Sequence, residues 1–441
     1  MLHARHLTAA LAILAALVTA PLGARLPERA RAAGPTITYW HLWSDKFYGG
    51  IQDDLVGLFN KTNPGFTVKS LRGQSNTGKF LATVAAGNPP DVYMVPTGPI
   101  QLAVQGGLMP LDSYLKTSKV VRQGDFWPGT WASCTFHGHV YCIPYVYDAY
   151  ALFWNKDLFK AAGLPENTPP RTWTELESYA KKLTTYDKKG TITQLGFAPW
   201  ITSTSAAEWP MWSSGGQLWD YKAGKPTMTQ PANVKALQWE VNWAKTFGGY
   251  AKVQRFASAS SGSTYYLGQK VAMWVGESYF LSTLQQFEPN VRYGVASFGV
   301  PRPSGKEPYV NGDVDGNMIG IPTGSKHPDQ AWKFIEWQAT AGVHNWVIRE
   351  GDQSARKADI DIVPTLLKEP YRHDYRLFGN LLRGQRVYYN QGSPVDLYYY
   401  TERDNEFDLA RRGVKTPAQA LTDLQNNVQQ QLTKALAHYH G

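Results

Sequence analysis

Residues 85–95 read Ala85-Ala86-Gly87-Asn88-Pro89-Pro90-Asp91-Val92-Tyr93-Met94-Val95. The spacing predicts a short helix over Phe80 to Ala86, and Gly87-Asn88-Pro89-Pro90 ends it. Glycine and asparagine tolerate the left-handed conformation of a helix stop, and proline has no N–H with which to continue. Asp91 to Val95 (DVYMV) then reads as a strand. The same alternation recurs outward from this break. Thr36 to Trp43 (TITYWHLW) predicts a first strand, and Ile51 to Phe59 a helix ended by Asn63-Pro64-Gly65. Phe66 to Leu71 predicts a second strand and Pro99 to Gly106 a further helix. Strands alternating with helices imply an α/β fold with a parallel or mixed sheet and crossover helices.

Beyond this region the pattern continues less regularly. Pro144 to Trp154 (PYVYDAYALFW) reads as one long extended segment. Thr172-Trp173-Thr174-Glu175 is a capping box that opens a helix to about Leu183. Leu195 to Trp200, Gln269 to Val275, Val291 to Phe298 and Gly316 to Ile321 predict strands. Ala232 to Phe247 and Pro328 to Gln338 predict helices, and Thr416-Pro417-Ala418-Gln419 caps a last helix to about Ala437. No repeat of fixed period is present, which argues against solenoids and propellers. No Pro/Ser-rich linker separates two halves, so the domains are expected to be joined by several crossings of the chain.

The chain has 441 residues, enough for two or three cores. At 43% hydrophobic and 18% charged it is too apolar for a disordered chain and too polar for a multi-span membrane protein. No internal run approaches the ~20 apolar residues of a spanning helix. The 16 Trp and 25 Tyr exceed what packing requires and suggest surfaces on which flat rings stack. The first 32 residues read as an export signal: a basic start at Arg5, an apolar stretch from Leu7 to Ala20, and the small-x-small site Ala30-Arg31-Ala32. No cysteine follows, so no lipid anchor is expected. The mature chain would be secreted or periplasmic, with 40 basic and 34 acidic residues. That excess is mild and unclustered, which argues against nucleic acid as a partner.

Cys134 and Cys142 stand equally far from Gly138 in CTFHGHVYC. A hairpin centred there places them opposite each other, in disulfide reach. A Cys/His metal site with His137 and His139 is the rival reading, but its spacing matches no zinc pattern. No G-x-G-x-x-G after a strand, Walker A, H-E-x-x-H or G-x-S-x-G motif occurs, so neither a cofactor nor a metal is expected. Carboxylates are numerous, and none is marked by sequence as a glycosidase pair.

Several local patterns together resemble family 1 extracellular solute-binding proteins of ABC importers, the maltose-binding-protein-like group. Ala85 to Val92 (AAGNPPDV) is similar to that family's "AAGxxPDV". Gly138 to Pro144 followed by Ala151 to Phe159 (ALFWNKDLF) resembles "DGKVYGIP…ALYYNKDLF". Lys270 to Trp274 (KVAMW) resembles "KAAM", Ile319 to Phe334 resembles "LGIPKGSKNPEAAWKF", and the last capped helix resembles "TPEEALKDAQ". These motifs keep the family's order over nearly the whole mature chain. The resemblance implies a two-lobed periplasmic-binding-protein type II architecture, with mixed sheets, crossover helices and three hinge crossings. The amino-terminal lobe would take residues 33–147 and 317–384, and the carboxy-terminal lobe 148–316 and 385–441. It further implies a non-enzymatic monomer that captures a sugar or oligosaccharide between the lobes and delivers it to membrane permease subunits.

A sugar is held by flat rings against its apolar face and by polar side chains around its hydroxyls. Asp45 and Lys46 follow the first strand at a family ligand position, with Trp43 beside them. Asp148 corresponds to an acidic position at the first hinge, and Tyr279 and Tyr400 to aromatic ligand positions. Trp200 and Trp209 lie in the variable segment that supplies stacking rings. Gln74, Ser75, Asn76 and Thr97 are further candidate contacts, and Glu277, Asp313 and Tyr399 complete the set. Val95, Gly98 and Pro99 replace an aromatic and two charged groups of the maltose branch, so maltodextrin is not implied. Two alternatives stand beside a neutral sugar. A glycerol phosphate diester or acidic sugar would need a base such as Arg356 or Lys46 in the cleft, and an exported glycan-degrading enzyme would need a carboxylate pair.

Overall fold

The structure is a computed structural model. It describes residues 34–96, 98–202, 205–259, 270–306, 310–312, 316–369, 371–384, 386–388, 392–437 and 439. The expected export signal and the candidates Thr97 and Asp313 lie outside the described residues.

Strands β1 (Thr36–Trp40), β2 (Thr67–Leu71) and β3 (Val92–Val95) pair in parallel, joined by helices α1 (Tyr48–Thr62) and α2 (Thr77–Ala85). Helix α3 (Pro99–Val104) follows β3. The sheet order is β2-β1-β3, extended by Met318–Gly320 and then Ile143–Pro144, both joining antiparallel. All four residues of β3 are buried, as expected for a strand covered on both faces. Asp91 fixes its start: one oxygen accepts from the Thr38 N–H at 2.8 Å and the other from Ser325 Oγ at 3.0 Å. Helix α2 begins earlier than the apolar pattern predicts, because Asn76 caps it by accepting from the Lys79 N–H at 2.8 Å.

A second sheet is antiparallel. Strand β4 (Ile143–Pro144) leads to β5 (Tyr150–Asn155), which lies between β6 (Met273–Glu277) and β7 (Tyr293–Val295). The register runs from Met273 opposite Trp154 to Glu277 opposite Tyr150. Pro144 to Trp154 is therefore not one extended run. It divides into β4, a short pair at Val146–Tyr147, and β5, each in a different sheet. The strand expected over Leu195 to Trp200 reduces to a single bridge between Leu195 and Val271. Gly196 explains the interruption. An added Cβ there would lie 2.3 Å from the Ala180 carbonyl oxygen, so the chain presses on the helix Trp173–Leu183 while its backbone still bonds Lys270, Ala272 and Met273. The capping boxes at Thr172 and Thr416 both form.

Two hydrophobic cores result. The first draws mainly on residues 37–149 and 318–382 with Ala151, Phe153, Trp274, Phe280, Leu281 and Leu284, the second on the rest of 150–300 and on 395–432. Strand β5 is buried along its whole length and serves both. Tyr150, Leu152 and Trp154 face the second core, while Ala151 and Phe153 face the first. On that first-core side Phe153 meets Phe280 and Phe378, at ring separations of 5.7 and 5.9 Å. The helix Phe280–Phe287 and the helix Tyr371–Gly384 thereby cover the second sheet.

Cys134 and Cys142 form a disulfide with Cα atoms 5.1 Å apart. The hairpin's register differs from the expected one. Phe136 pairs with His139 and Thr135 with Val140, so Tyr141 stands opposite Cys134 and the bridge runs diagonally. The turn is the two-residue His137-Gly138, with φ of 47° and 86°, the paired positive angles of a tight hairpin. Closing so short a loop contributes about 2–3 kcal/mol on the chain-entropy model. A Cys134→Ser/Cys142→Ser double variant should lower the denaturation free energy by about that amount. Urea titration of the two proteins measures it, and coincident midpoints would refute the estimate.

Candidate functional site

A cavity of about 290 Å³ lies where the two cores meet. Its walls come from loops that follow strands and close helices. Leu42, Trp43, Tyr48 and Pro96 stand beyond the carboxyl ends of β1 and β3, where open parallel sheets place ligand groups. Asp148 sits on the chain crossing before β5, and Glu277 and Tyr279 follow from β6. Gly316 and Asn317 enter the sheet from the other side, and Glu350 and Asp352 flank the end of the helix Val343–Glu350. Gly316 is required by close approach, because a Cβ there would lie 2.2 Å from the Val146 carbonyl oxygen.

The rings are held from behind. Trp43 packs on Trp346 with centroids 4.2 Å apart, and the Tyr48 hydroxyl is hydrogen-bonded to Thr283 Oγ1 at 2.9 Å. The carboxyls form a connected group. Trp346 Nε1 donates to Asp352 at 3.0 Å, Ser278 Oγ donates to Asp148, and the Tyr150 hydroxyl donates to Glu277. Glu350 accepts from the Asp352 N–H at 2.9 Å. All four acids are buried, between 3% and 7% exposed. Burial raises Asp148 well above the usual carboxylate range, and the negative neighbours Asp352 and Glu277 add to it. Asp352 is likewise raised by burial and by Glu350. Two acids buried side by side disfavour a second negative charge, so this pair tends to keep a proton. Glu350 is pushed up to about 8, again chiefly by burial.

At neutral pH this wall therefore offers O–H donors as well as acceptors, which matches hydroxyls that both give and take hydrogen bonds. No Lys or Arg occurs among the described lining residues, so an anionic ligand group would meet no counter-charge. Among the described residues no group of three His, Cys, Asp or Glu is placed to hold a metal ion. A larger groove, about 820 Å³, opens between α3 and the carboxy-terminal helices. It carries glutamines, tyrosines and Lys434 but no carboxylate.

Of the residues singled out by sequence, the cavity brings together Trp43, Asp148, Glu277 and Tyr279. The other described candidates are elsewhere. Asp45 is exposed and caps α1 by accepting from the Tyr48 N–H at 2.7 Å; Lys46 is exposed. Gln74 accepts from Lys79 Nζ, Ser75 is exposed, and the Asn76 side chain is used in its cap. Trp209 is fully buried in the second core and donates to the Pro199 carbonyl. Trp200 packs there between Tyr250 and the Arg411 guanidinium. Tyr399 is buried with its hydroxyl on Glu208, and the Arg403 guanidinium lies over the Tyr400 ring. Arg356 lies over Phe126 and is paired with Asp125 at 3.6 Å. Sequence reasoning missed Leu42, Tyr48, Pro96, Gly316, Asn317, Glu350 and Asp352. One signal was available for the two acids, since Glu350-Gly351-Asp352 places negative charge at a helix carboxyl end, against the dipole.

The raised Glu350 value sets a pH dependence. Its ordinary value is 4.5, so the folded state binds this proton more tightly than the unfolded chain. Stability from this group is full below about 4.5 and is lost as pH rises towards about 8. The melting temperature of the ligand-free protein should fall over that window, and Glu350→Gln should flatten the fall. Calorimetry at stepped pH checks this, and parallel profiles for the two proteins would refute it.

The profile of the bacterial extracellular solute-binding proteins matches residues 43–344. A solved structure described as CpMnBP1 with mannobiose bound is 30% identical, over 89% of this chain and 99% of that one, with a TM-score of 0.77. Maltose-bound MalE3 of T. maritima is 22% identical over 90% of this chain and all of that one, with a TM-score of 0.72. By sequence, the sn-glycerol-3-phosphate-binding periplasmic protein UgpB of Escherichia coli K12 is 29% identical over 195 residues, 43% of this chain and 44% of that protein. A putative binding protein of Brucella abortus strain 2308 is 24% identical over 65% of this chain and 67% of its own length. The chain belongs to the bacterial extracellular solute-binding protein family.

Proposed function

We propose that this chain is the extracytoplasmic sugar-binding component of an ABC importer, taking a neutral mono- or oligosaccharide between its two cores and presenting it to a membrane permease. The observation that carries this reading is the lining of the cavity. Rings of Trp43, Tyr48 and Tyr279 stand with four carboxyls and Asn317, and no base is among the described lining residues. A sugar offers such a wall an apolar face and a rim of hydroxyls. The solved relative that binds mannobiose supports the choice of a short, neutral sugar. At about 290 Å³ the cavity sits near the lower end of ligand pockets, which favours one or two rings over a long chain. The lobes are taken to divide between residues 147 and 148, 316 and 317, and 384 and 385. Ligand shifts the lobes towards the closed arrangement. Among the described residues no helix is long and apolar enough to cross a membrane.

The match to UgpB favours a second reading, glycerol phosphate capture. Its anionic group would face acids at this cavity, whereas Arg356 and Lys46 lie away from it. One thermal-shift series separates the readings. Mannobiose should raise the melting temperature and glycerol 3-phosphate should not. A ligand at about a hundred times its dissociation constant stabilises by roughly 2.7 kcal/mol. Stabilisation by glycerol 3-phosphate alone would overturn the sugar reading, and catalytic turnover of the disaccharide would replace it with an enzyme.

Tyr279 is half-buried on the cavity wall, unlike the core ring of Trp209. Tyr279→Ala should weaken mannobiose binding about ten- to hundredfold, a ring being worth roughly 1–3 kcal/mol. Trp209→Ala should instead cost roughly 3–5 kcal/mol of stability. Titration calorimetry and denaturant melts on both variants measure the contrast. Unchanged affinity with a large loss of stability in Tyr279→Ala would assign that ring to the core.

A further inference from the structure

Among the contacts that join the two cores outside the cavity are two that lie far apart in sequence. At the first, the Gln101 side-chain oxygen accepts from the Leu397 N–H at 2.9 Å. Leu397 is the second residue of the helix Asp396–Arg411, where N–H groups have no partner within the helix. A residue of the first core thus caps a helix of the second. The two segments are in van der Waals contact here. Gly98, with φ of 64°, leaves an added Cβ only 3.5 Å from the Asp396 Cβ. Gly392, with φ of 74°, leaves one 3.1 Å from the Asp396 carboxyl and 3.8 Å from Ile100. Asp396 is itself fixed, accepting from the Ser393 N–H and Oγ, both at 2.7 Å.

The second place is Tyr439, just beyond the last helix, Pro417–Ala437. Its ring meets Phe136 and His137 edge-on, with centroids 5.1 and 5.2 Å away, and its hydroxyl is hydrogen-bonded to that of Tyr141 at 3.2 Å. All three partners belong to the hairpin closed by the Cys134–Cys142 disulfide, a platform on the first core. Neither Gln101 nor Tyr439 lines the cavity between the cores. A rotation that parted the cores at these points would uncap one helix N–H and return a ring to water.

We propose that Gln101 and Tyr439 are positioning residues that latch the two cores, biasing the free protein towards the closed arrangement and so tightening ligand binding without touching the ligand. This rests on the reading that the ligand sits in the cavity between the cores. The test uses Gln101→Ala, Tyr439→Phe and the double variant Gln101→Ala/Tyr439→Ala in the full chain, with mannobiose as probe. Small-angle scattering of the ligand-free double variant should give a larger radius of gyration than wild type. Its dissociation constant for mannobiose should rise about tenfold, equivalent to about 1.4 kcal/mol. The single variants should fall between, with Tyr439→Phe keeping the ring contact and losing only the hydroxyl bond. Near-ultraviolet circular dichroism reports whether each variant is folded, and the single variants decide if the double one is not. Superimposable scattering, or unchanged affinity in a protein that binds mannobiose, overturns the latch. If wild type binds no sugar, the binding reading fails separately, and the scattering comparison alone decides the latch.

Discussion

Asp148 and Asp352 cannot both be charged where the two cores meet. Each is buried, and burial raises both; the charge of Asp352 raises Asp148 further and that of Glu350 raises Asp352, so burial favours protonated carboxyls here. The surrounding side chains are placed by this pair. Trp346 must sit where its indole N–H reaches Asp352, and Trp43 takes its position against the back of Trp346. Ser278 must turn towards Asp148, which sets the direction of the chain between Glu277 and Tyr279. The rings and the acids of the cavity are therefore joined through the indole of Trp346 and the hydroxyls of Ser278 and Tyr150.

Such a wall costs the folded protein stability, because four buried carboxyls with no cation among the described lining residues are not a favourable core. Natural chains keep costly arrangements where a ligand is met. A binding wall that holds protons at neutral pH also keeps its hydrogen-bonding character in low dielectric, since a hydroxyl can approach a neutral carboxyl as either partner.

How much of this was legible in sequence depends on the range of the contact. The helix end at Gly87 and the strand after it are local, and β1, β2 and β3 stand close to where the pattern puts them. The disulfide was legible from symmetry, but the register was not, because His137 adopts a left-handed conformation usually left to Gly, Asn or Asp. Asp148 and Tyr279 were reached through family motifs that place them beside recognisable strands. Asp45 and Asn76 look like ligand residues by position and are spent on helix caps. Trp209 and Tyr399 look like binding rings by composition and lie in the core, since a flat ring reads alike in either place. Glu350, Asp352 and Asn317 meet Asp148 only after the chain has returned across the junction. No local pattern carries a contact of that kind, apart from the misplaced charge at the helix end.

Strand β5 gives the molecule a property that its two-core appearance conceals. Its alternate residues enter opposite cores, Tyr150, Leu152 and Trp154 one and Ala151 and Phe153 the other, so one short strand contributes to both hydrophobic surfaces. A wall shared in this way cannot be given to one half without stripping the other. The two halves are therefore not interchangeable modules to be cut apart or grafted singly. The protein is one unit of assembly that happens to contain a joint, and the joint lies beside the strand that both sides own.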